Sequence, residues 1–204
     1  MTQAQLSSDQ TALSQANAAL VNAIQSAYTY SDDAVRNKVD QFITNPRSPT
    51  PLVAFTTSNS QSAMNLSIDR VSAEALLIAW QAQIAGLTPD GDLVGARVAA
   101  EKNLAQVASL LSDANTALVS AVPGTVSQSQ INTYISNVAT ARASINAAQS
   151  ALTAAFTAQR AATSALARDQ KSLELQQAGS TDHDIAAKEA EVAAAQANVE
   201  SVQA

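Results

Sequence analysis

The stretch that decides the fold runs from Ser129 to Ala178: SQINTYISNVATARASINAAQSALTAAFTAQRAATSALARDQKSLELQQA. Residues at a strict spacing of seven form its seam: Ile131, Val138, Ile145, Leu152, Gln159, Leu166 and Leu173. Alanines stand three residues after successive members of the series: Ala141, Ala148, Ala155 and Ala162. A seven-residue repeat that alternates large and small side chains is typical of a thin coiled coil, so the stretch is predicted to be one long helix.

A similar repeat lies near the beginning of the chain. Leu6, Leu13 and Leu20 also recur every seven residues, within a helix predicted from about Thr2 to Ile43. The two repeats lie far apart in sequence and have the same spacing. They are therefore predicted to pair lengthwise as the two arms of an antiparallel hairpin.

Two further helices are predicted between these arms. The first, from about Gln61 to Leu87, has apolar residues that alternate by four and three: Met64, Ile68, Val71, Ala75, Ile78, Ala82 and Ala85. Leu77, Trp80, Ile84 and Leu87 widen this face, which predicts burial against two neighbours. The second, from about Leu93 to Val122, has its own seam: Ala100, Leu104, Val107, Leu111, Ala114 and Leu118.

The connections contain recognisable turn and cap residues. Three prolines within six residues, 46–51, stop the first helix, and the segment 45–60 is predicted to be an ordered loop packed by Leu52, Val53 and Phe55. Asp92 or Thr88 is the expected N-cap of the third helix. Ser127 and Gln130 have the spacing of a capping box that opens the fourth.

A short final helix completes the prediction. Gly179 is expected to end the long helix, and Thr181-x-x-Asp184 forms a capping box for the last one. This helix carries Ile185, Val192 and Val199 at a spacing of seven. These three residues are expected to extend the coiled-coil seam and to pack on the base of the hairpin.

The predicted architecture is all-α: an antiparallel coiled-coil hairpin extended into an up-down four-helix bundle, with a short fifth C-terminal helix. Residues 1–24 and 149–204 are expected to form the hairpin stalk, and residues 25–148 the inserted four-helix bundle. The chain starts and stops within helical patterns, so it is expected to be an excised part of a longer protein.

Composition excludes several classes of function. The net charge is -6 and the basic residues are scattered, so nucleic acid is not an expected partner. No run of apolar residues is long enough to insert into a membrane. With no cysteine and a single histidine, His183, which is expected to be capping or exposed, the sequence predicts no metal site, no cofactor and no enzyme.

The large aromatic residues lie in the segments assigned to the bundle. Trp80, Tyr28 and Tyr30 are expected in its core. A second interpretation is a small-molecule pocket between helices, lined by Trp80, Tyr28, Tyr30 and Arg36, in which Arg36 orients an anionic group and Arg47 and Arg70 are further candidates for this role. Nothing in the sequence selects a ligand.

The C-terminal segment from Leu173 to Ala204 resembles the hairpin of HlyD-like membrane fusion proteins, the periplasmic adaptors of export pumps. The resemblance rests on a helix that ends in Ala178-Gly179, on the element Asp184-Ile185, and on the Ala- and Val-rich repeat that follows. It implies a homo-oligomeric, non-catalytic spacer that connects an inner-membrane transporter of the RND or ABC type to the outside. It also implies an extracytoplasmic location, with the full-length protein anchored in the membrane.

The sequence departs from the family at the hairpin tip. In the family this tip is short and carries an Arg-x-x-x-Leu pattern that meets an outer-membrane channel, whereas no arginine in this chain has leucine four residues later. Roughly a hundred residues of predicted bundle take the place of the tip, so docking to such a channel in the usual way is not expected. An extracytoplasmic four-helix bundle with a sensory or ligand-binding role is the alternative function.

Overall fold

The structure, a computed structural model, describes residues 3–178 and 182–203, and within these ranges the fold is all-α. It contains five α-helices: α1 (Gln3–Asp32), α2 (Ser60–Ala85), α3 (Leu93–Val119), α4 (Gln128–Gln177) and α5 (Asp182–Gln203). After α1 the chain continues as a π-helix, Asp33–Val39, and a 3-10 turn, Asp40–Phe42. None of the described helices is both long and apolar enough to cross a bilayer.

The chain divides into two compact units. The terminal unit comprises Met1–Ala12 and Ala162–Ala204, and the bundle unit comprises Leu13–Ala161. The predicted boundaries between stalk and insert, at 24/25 and 148/149, lie inside the bundle unit and stay predictions.

Helix α3 buries the seam that its sequence predicts, and helix α4 buries the first part of its predicted seam, as far as Leu152. On α3 the residues Ala100, Leu104, Val107 and Leu111 are all inaccessible to solvent. On α4 the buried residues follow the alternation of three and four: Val138, Ala141, Ile145, Ala148 and Leu152. Beyond Leu152 the seam residues are half-buried: Ala155, Gln159, Ala162, Leu166 and Leu173. Burying a leucine or isoleucine side chain contributes about 1.5–3 kcal/mol, so these seams supply much of the stability of the bundle unit.

Side-chain caps begin three of these helices. The backbone amide of Gly95 donates to Asp92 Oδ1 over 2.9 Å, which confirms Asp92 as the N-cap of α3. The amide of Gln130 donates to Ser127 Oγ over 3.2 Å at the start of α4, as expected. Asn59 caps α2 by accepting a hydrogen bond from the amide of Ser62, which the sequence reasoning missed.

The segment 45–60 is not only a loop. Strand β1 (Ile43–Thr44) pairs antiparallel with β2 (Leu52–Val53), and β3 (Thr56–Thr57) pairs antiparallel with β4 (Ala121–Val122). The expectation of a strand-free loop was wrong for two reasons. Strand β1, the partner of β2, contains Ile43, which was assigned to the first helix, and β4, the partner of β3, lies more than sixty residues away in sequence. Phe55 is buried as expected, whereas Leu52 is exposed.

Helix α2 buries only part of the wide apolar face that its sequence predicts. Leu77 and Trp80 are buried as expected, and Ile84 and Leu87 are half-buried. Its inner stripe consists of Leu66, Arg70, Ala73, Leu77 and Trp80, all buried. Its outer stripe, which was expected to be buried, is exposed: Met64, Ile68, Val71, Ala75, Ile78, Ala82 and Ala85. Both stripes have the alternation of four and three, and residues two apart lie about 200° apart around a helix. Because Arg70 interrupts the apolar residues of the inner stripe, the sequence did not indicate that the whole of this side faces the core.

The terminal unit contains the two ends of the predicted hairpin and α5. Leu6, Leu166 and Leu173 are half-buried. All residues from 184 to 201 are exposed, among them the seam residues Ile185, Val192 and Val199. The described part of α5 therefore does not bury its apolar stripe within this chain, contrary to the expected packing on the hairpin base.

The remaining seam residues lie in the bundle unit. Leu20 and Leu152 are buried and Leu13 is half-buried, while the lengthwise pairing of the whole seam stays a prediction. Gly179 and Thr181, on which the predicted helix stop and capping box depend, lie outside the described residues, as does the side chain of His183.

Two adjacent residues of α2 test the assignment of its faces. We expect Leu77→Ala to lower the free energy of unfolding by about 3 kcal/mol, because it leaves a cavity in the core. Ile78→Ala, at a residue 58% exposed, should change it by less than about 0.5 kcal/mol in dilute solution. Urea denaturation followed by the fluorescence of Trp80 measures both, and a larger effect at Ile78 would contradict the assignment.

Candidate functional site

The most unusual feature of the bundle unit is an arginine in its core. Arg70 lies in the inner stripe of α2 with none of its side chain exposed. Its Nε donates to Asp40 Oδ1 over 2.5 Å, and its Nη2 donates to Asp40 Oδ2 over 2.9 Å. This two-point contact joins α2 to the 3-10 turn and fixes the relative orientation of the guanidinium and the carboxylate.

The ion pair is one end of a longer charge network. Arg70 Nη2 also donates to Glu74 Oε2 over 3.0 Å, and the other oxygen of Glu74 accepts a hydrogen bond of 3.0 Å from Arg36 Nη2. Arg36 Nη1 in turn lies 3.2 Å from Asp32 Oδ1. The charge network therefore alternates acid and base in the order Asp40, Arg70, Glu74, Arg36, Asp32.

Burial and charge act on Arg70 in opposite directions. Burial alone would lower the pKa of its guanidinium, but the hydrogen bonds and charges of Asp40 and Glu74 outweigh that effect and raise the pKa. Arg70 therefore stays charged. Among the described residues, Arg70 Nη1 and Arg36 Nε are buried donors without a hydrogen-bond partner.

The π-helix positions two members of the charge network: Arg36 lies within it, and Asp40 follows directly after it. The backbone amide of Asp40 donates to the carbonyl of Val35, five residues earlier, as is typical of this wider helix. If the inward spacing of α1 continued unchanged, Lys38 would face the core. The extra residue in the π-turn buries Val39 instead and leaves Lys38 half-buried, with Asp40 next in sequence.

Three of the four residues predicted to line a pocket lie in one region. The rings of Tyr28 and Trp80 meet edge to face, with centroids 5.7 Å apart. Burial, followed by the charge of Asp32, raises the pKa of Tyr28, so Tyr28 stays neutral beside Asp32 and Arg36. Tyr30 is 46% exposed and does not belong to the core, which corrects the expectation for that residue.

Sequence reasoning noticed Arg36 and Arg70 but not the acids that hold them. Asp40 and Glu74 showed no pattern of their own, because their role depends on contacts between segments. The signal that could have found Arg70 is its spacing: it stands where an apolar residue belongs, between Leu66 and Ala73. Arg47, considered as a third anion-binding residue, is exposed.

A groove of about 270 Å³ lies between α2 and α3. It is lined by Asp69, Ser72, Ala73 and Leu76 of the first helix and by Gln106, Val107 and Ser109 of the second. Burial raises the pKa of Asp69 to about 6, and a hydrogen bond to Asp113 adds to this shift. In mildly acidic solution the carboxyl of Asp69 is therefore protonated and hydrogen-bonds to Asp113.

A second carboxyl pair lies in the terminal unit. A hydrogen bond to Asp169 raises the pKa of Asp9, and burial and the charge of Asp169 add to the effect. The same hydrogen bond lowers the pKa of Asp169. Asp9 near the start of α1 is therefore in contact with Asp169 in the last part of α4.

The chemistry of these groups is that of charge pairing and of hydrogen bonding between carboxyl groups. Within residues 3–178 and 182–203, no group of three or more His, Asp or Glu side chains is arranged to hold a metal ion. No protein-family model, no curated protein and no solved structure matches the chain.

Replacing the buried arginine tests the charge network. We expect Arg70→Met to lower the free energy of unfolding by about 3 kcal/mol, because Asp40 and Glu74 lose their shared counter-charge. The control is Arg142→Met, the same change at an exposed residue of α4, which should cost less than about 0.5 kcal/mol. Equal effects of the two variants in urea denaturation would refute a structural role for the network.

Asp69 makes stability depend on pH in a defined direction. Its folded pKa of about 6 lies above the value of 3.8 for an ordinary aspartate, so the folded chain holds this proton more tightly. The contribution of protonated Asp69 to the free energy of unfolding is therefore present at low pH and is lost as pH rises through 6.

We expect Asp69→Asn to increase the free energy of unfolding by about 1 kcal/mol at pH 7, because asparagine carries no charge. The effect is small because Asp69 is partly exposed to solvent, and at pH 4 we expect no change. Asp90→Asn, in an exposed turn, is the control and should be neutral at both values. A variant that is less stable than the parent chain at pH 7 would show that the ionised Asp69 is stabilising instead.

Proposed function

We propose that this chain is the helical hairpin region of a periplasmic adaptor of the HlyD-like kind, with a helical bundle inserted in the hairpin. Its role is that of a non-catalytic spacer and assembly element in an efflux or secretion complex. The observation that carries the proposal is that Met1–Ala12 and Ala162–Ala204 form one compact unit, in which Asp9 contacts Asp169, because a hairpin needs the beginning of α1 beside the end of α4.

The lengths of the elements support a spacer. Helix α4 continues without interruption for 50 residues, which corresponds to about 75 Å. Long helices joined side by side hold a fixed distance because each stiffens the other along the seam. Helix α4 ends at Gln177 and α5 begins at Asp182, and the resemblance to the adaptor family is strongest in this part of the chain.

The exposed stripe of α5 supports an assembly role. Ile185, Val192 and Val199 are 48%, 57% and 56% exposed and recur every seven residues. An apolar row with this spacing is suited to packing against another helix. In an adaptor that helix belongs to the rest of the full-length protein or to a neighbouring copy in the homo-oligomer.

The proposal names partners and a location. The full-length protein is anchored in the membrane, and its hairpin lies outside the cytoplasm, where it connects an inner-membrane transporter of the RND or ABC type to the exterior. The absence of cysteine from the chain suits this location and allows the location to be tested.

A single cysteine introduced by Thr133→Cys, at an exposed residue of α4, should react in intact cells with a maleimide that does not cross the inner membrane.

Purification of the native full-length protein tests the function. After chemical cross-linking of intact cells, we expect mass spectrometry to recover an RND or ABC transporter with the tagged protein. The triple variant Ile185→Ser, Val192→Ser, Val199→Ser should lose most of that transporter while keeping its helix content, because these side chains are exposed.

The control is Ala187→Ser with Ala194→Ser, on the opposite face of α5, which should retain the transporter. Recovery of no transporter, or of a signalling protein in its place, would contradict the adaptor proposal. Labelling of Thr133→Cys only after cell lysis would contradict the location.

A sensory or ligand-binding bundle remains the second candidate because of the groove between α2 and α3. Its volume of about 270 Å³ and its mixed lining of Ser72, Gln106 and Leu76 suit a small polar molecule. Co-purification with a signalling module rather than a transporter distinguishes this candidate from the adaptor.

A further inference from the structure

The outer stripe of α2 is a row of exposed apolar side chains, and its spacing indicates what kind of partner fits it. Met64, Ile68 and Ile78 are 57%, 58% and 58% exposed, and Val71 is 38% exposed. From Met64 to Ala85 the stripe is about 30 Å long and keeps the alternation of four and three throughout. Sustained alternation of this kind is the pattern of a helix that packs against another helix with knobs in holes.

The stripe also lacks charge, which is unusual for an exposed helix face. The only charged residues of α2 are Asp69, Arg70 and Glu74. Each of them is engaged elsewhere: Asp69 with Asp113, and the other two in the charge network. The flanks of the stripe are instead made of neutral residues such as Asn65, Ser72 and Gln81.

Neutrality favours a second copy of this chain as the partner. The chain has a net charge of -6, so two copies repel each other on average. The outer stripe is a face on which two copies can meet without placing like charges together. An identical helix also has the matching length and spacing.

The sizes of the side chains favour an antiparallel arrangement. When two copies of α2 run in opposite directions with Ile68 opposite Ala85, Val71 lies opposite Ala82 and Ile78 opposite Ala75. Ile68, Val71 and Ile78 then each meet an alanine, which fills space evenly, and Met64 lies beyond the end of the partner helix. A parallel pair would instead place alanine on alanine at three levels and leave voids.

We propose that the outer stripe of α2 is a self-association surface, through which two copies of the chain pair as antiparallel helices. The inference is independent of the proposed function, since it holds equally for an adaptor and for a sensory bundle. The area that one helix face can bury lies at the lower end of the interface areas that give stable complexes, so the amount of dimer depends on the concentration of the chain.

Analytical ultracentrifugation of the chain tests the association. We expect dimers to form reversibly below about 1 mM chain. The double variant Ile68→Glu, Ile78→Glu should be monomeric over the same range with unchanged helix content, because it places carboxylates against apolar residues of the partner helix, where they lose their hydration. The control Leu52→Glu, at a residue 65% exposed in β2, should dimerise like the parent chain.

Disulfide trapping tests the orientation, since the chain contains no cysteine of its own. Ile68→Cys and Ala85→Cys are made in separate chains. We expect covalent dimers after mild oxidation of the mixture, and few from either variant alone. Trapping of each variant with itself would overturn the antiparallel arrangement. A parent chain that stays monomeric to about 1 mM, or a double variant that still dimerises, would overturn the surface itself.

Discussion

The ion pair between Arg70 and Asp40 is the interaction on which the bundle unit depends. Helix α2 has apolar side chains on two opposite faces, so the hydrophobic effect alone does not decide which face turns inward. The arginine decides it, because the 3-10 turn and the π-helix offer Arg70 a carboxylate and Glu74 a second arginine. Turning α2 over would leave Asp40 without its counter-charge and would expose Leu77 and Trp80.

The inward orientation of Arg70 also explains why an apolar stripe of α2 remains exposed to solvent. A charged residue in the core fixes orientation at little net gain in stability, since desolvation offsets most of the attraction. Once the inner stripe is fixed, Ile68, Ile78 and their neighbours are left facing solvent, on a helix with no charge on that side. Exposed apolar rows on α2 and α5 have the same spacing, and both are suited to packing against further helices.

Much of the fold follows from local pattern. The seams of α3 and α4 and the caps at Asp92 and Ser127 were predicted because each depends on residues a few positions apart. The π-helix, the pairing of Thr56 with Val122 and the exposure of the outer stripe of α2 were not predicted, since each depends on segments that meet only in the folded chain. Of the candidate site, the two arginines and the aromatic contact of Tyr28 with Trp80 were within reach of sequence reasoning, whereas their acidic partners were not.

A double-mutant cycle on Arg70 and Asp40 tests the central claim most directly. The unfolding free energies of Arg70→Met, Asp40→Asn and the combined variant are compared with that of the parent chain. If the pair fixes α2, the losses are strongly non-additive, with a coupling of about 2 kcal/mol or more. If the two losses simply add, the arginine and the aspartate act independently, and the orientation of α2 must have another cause.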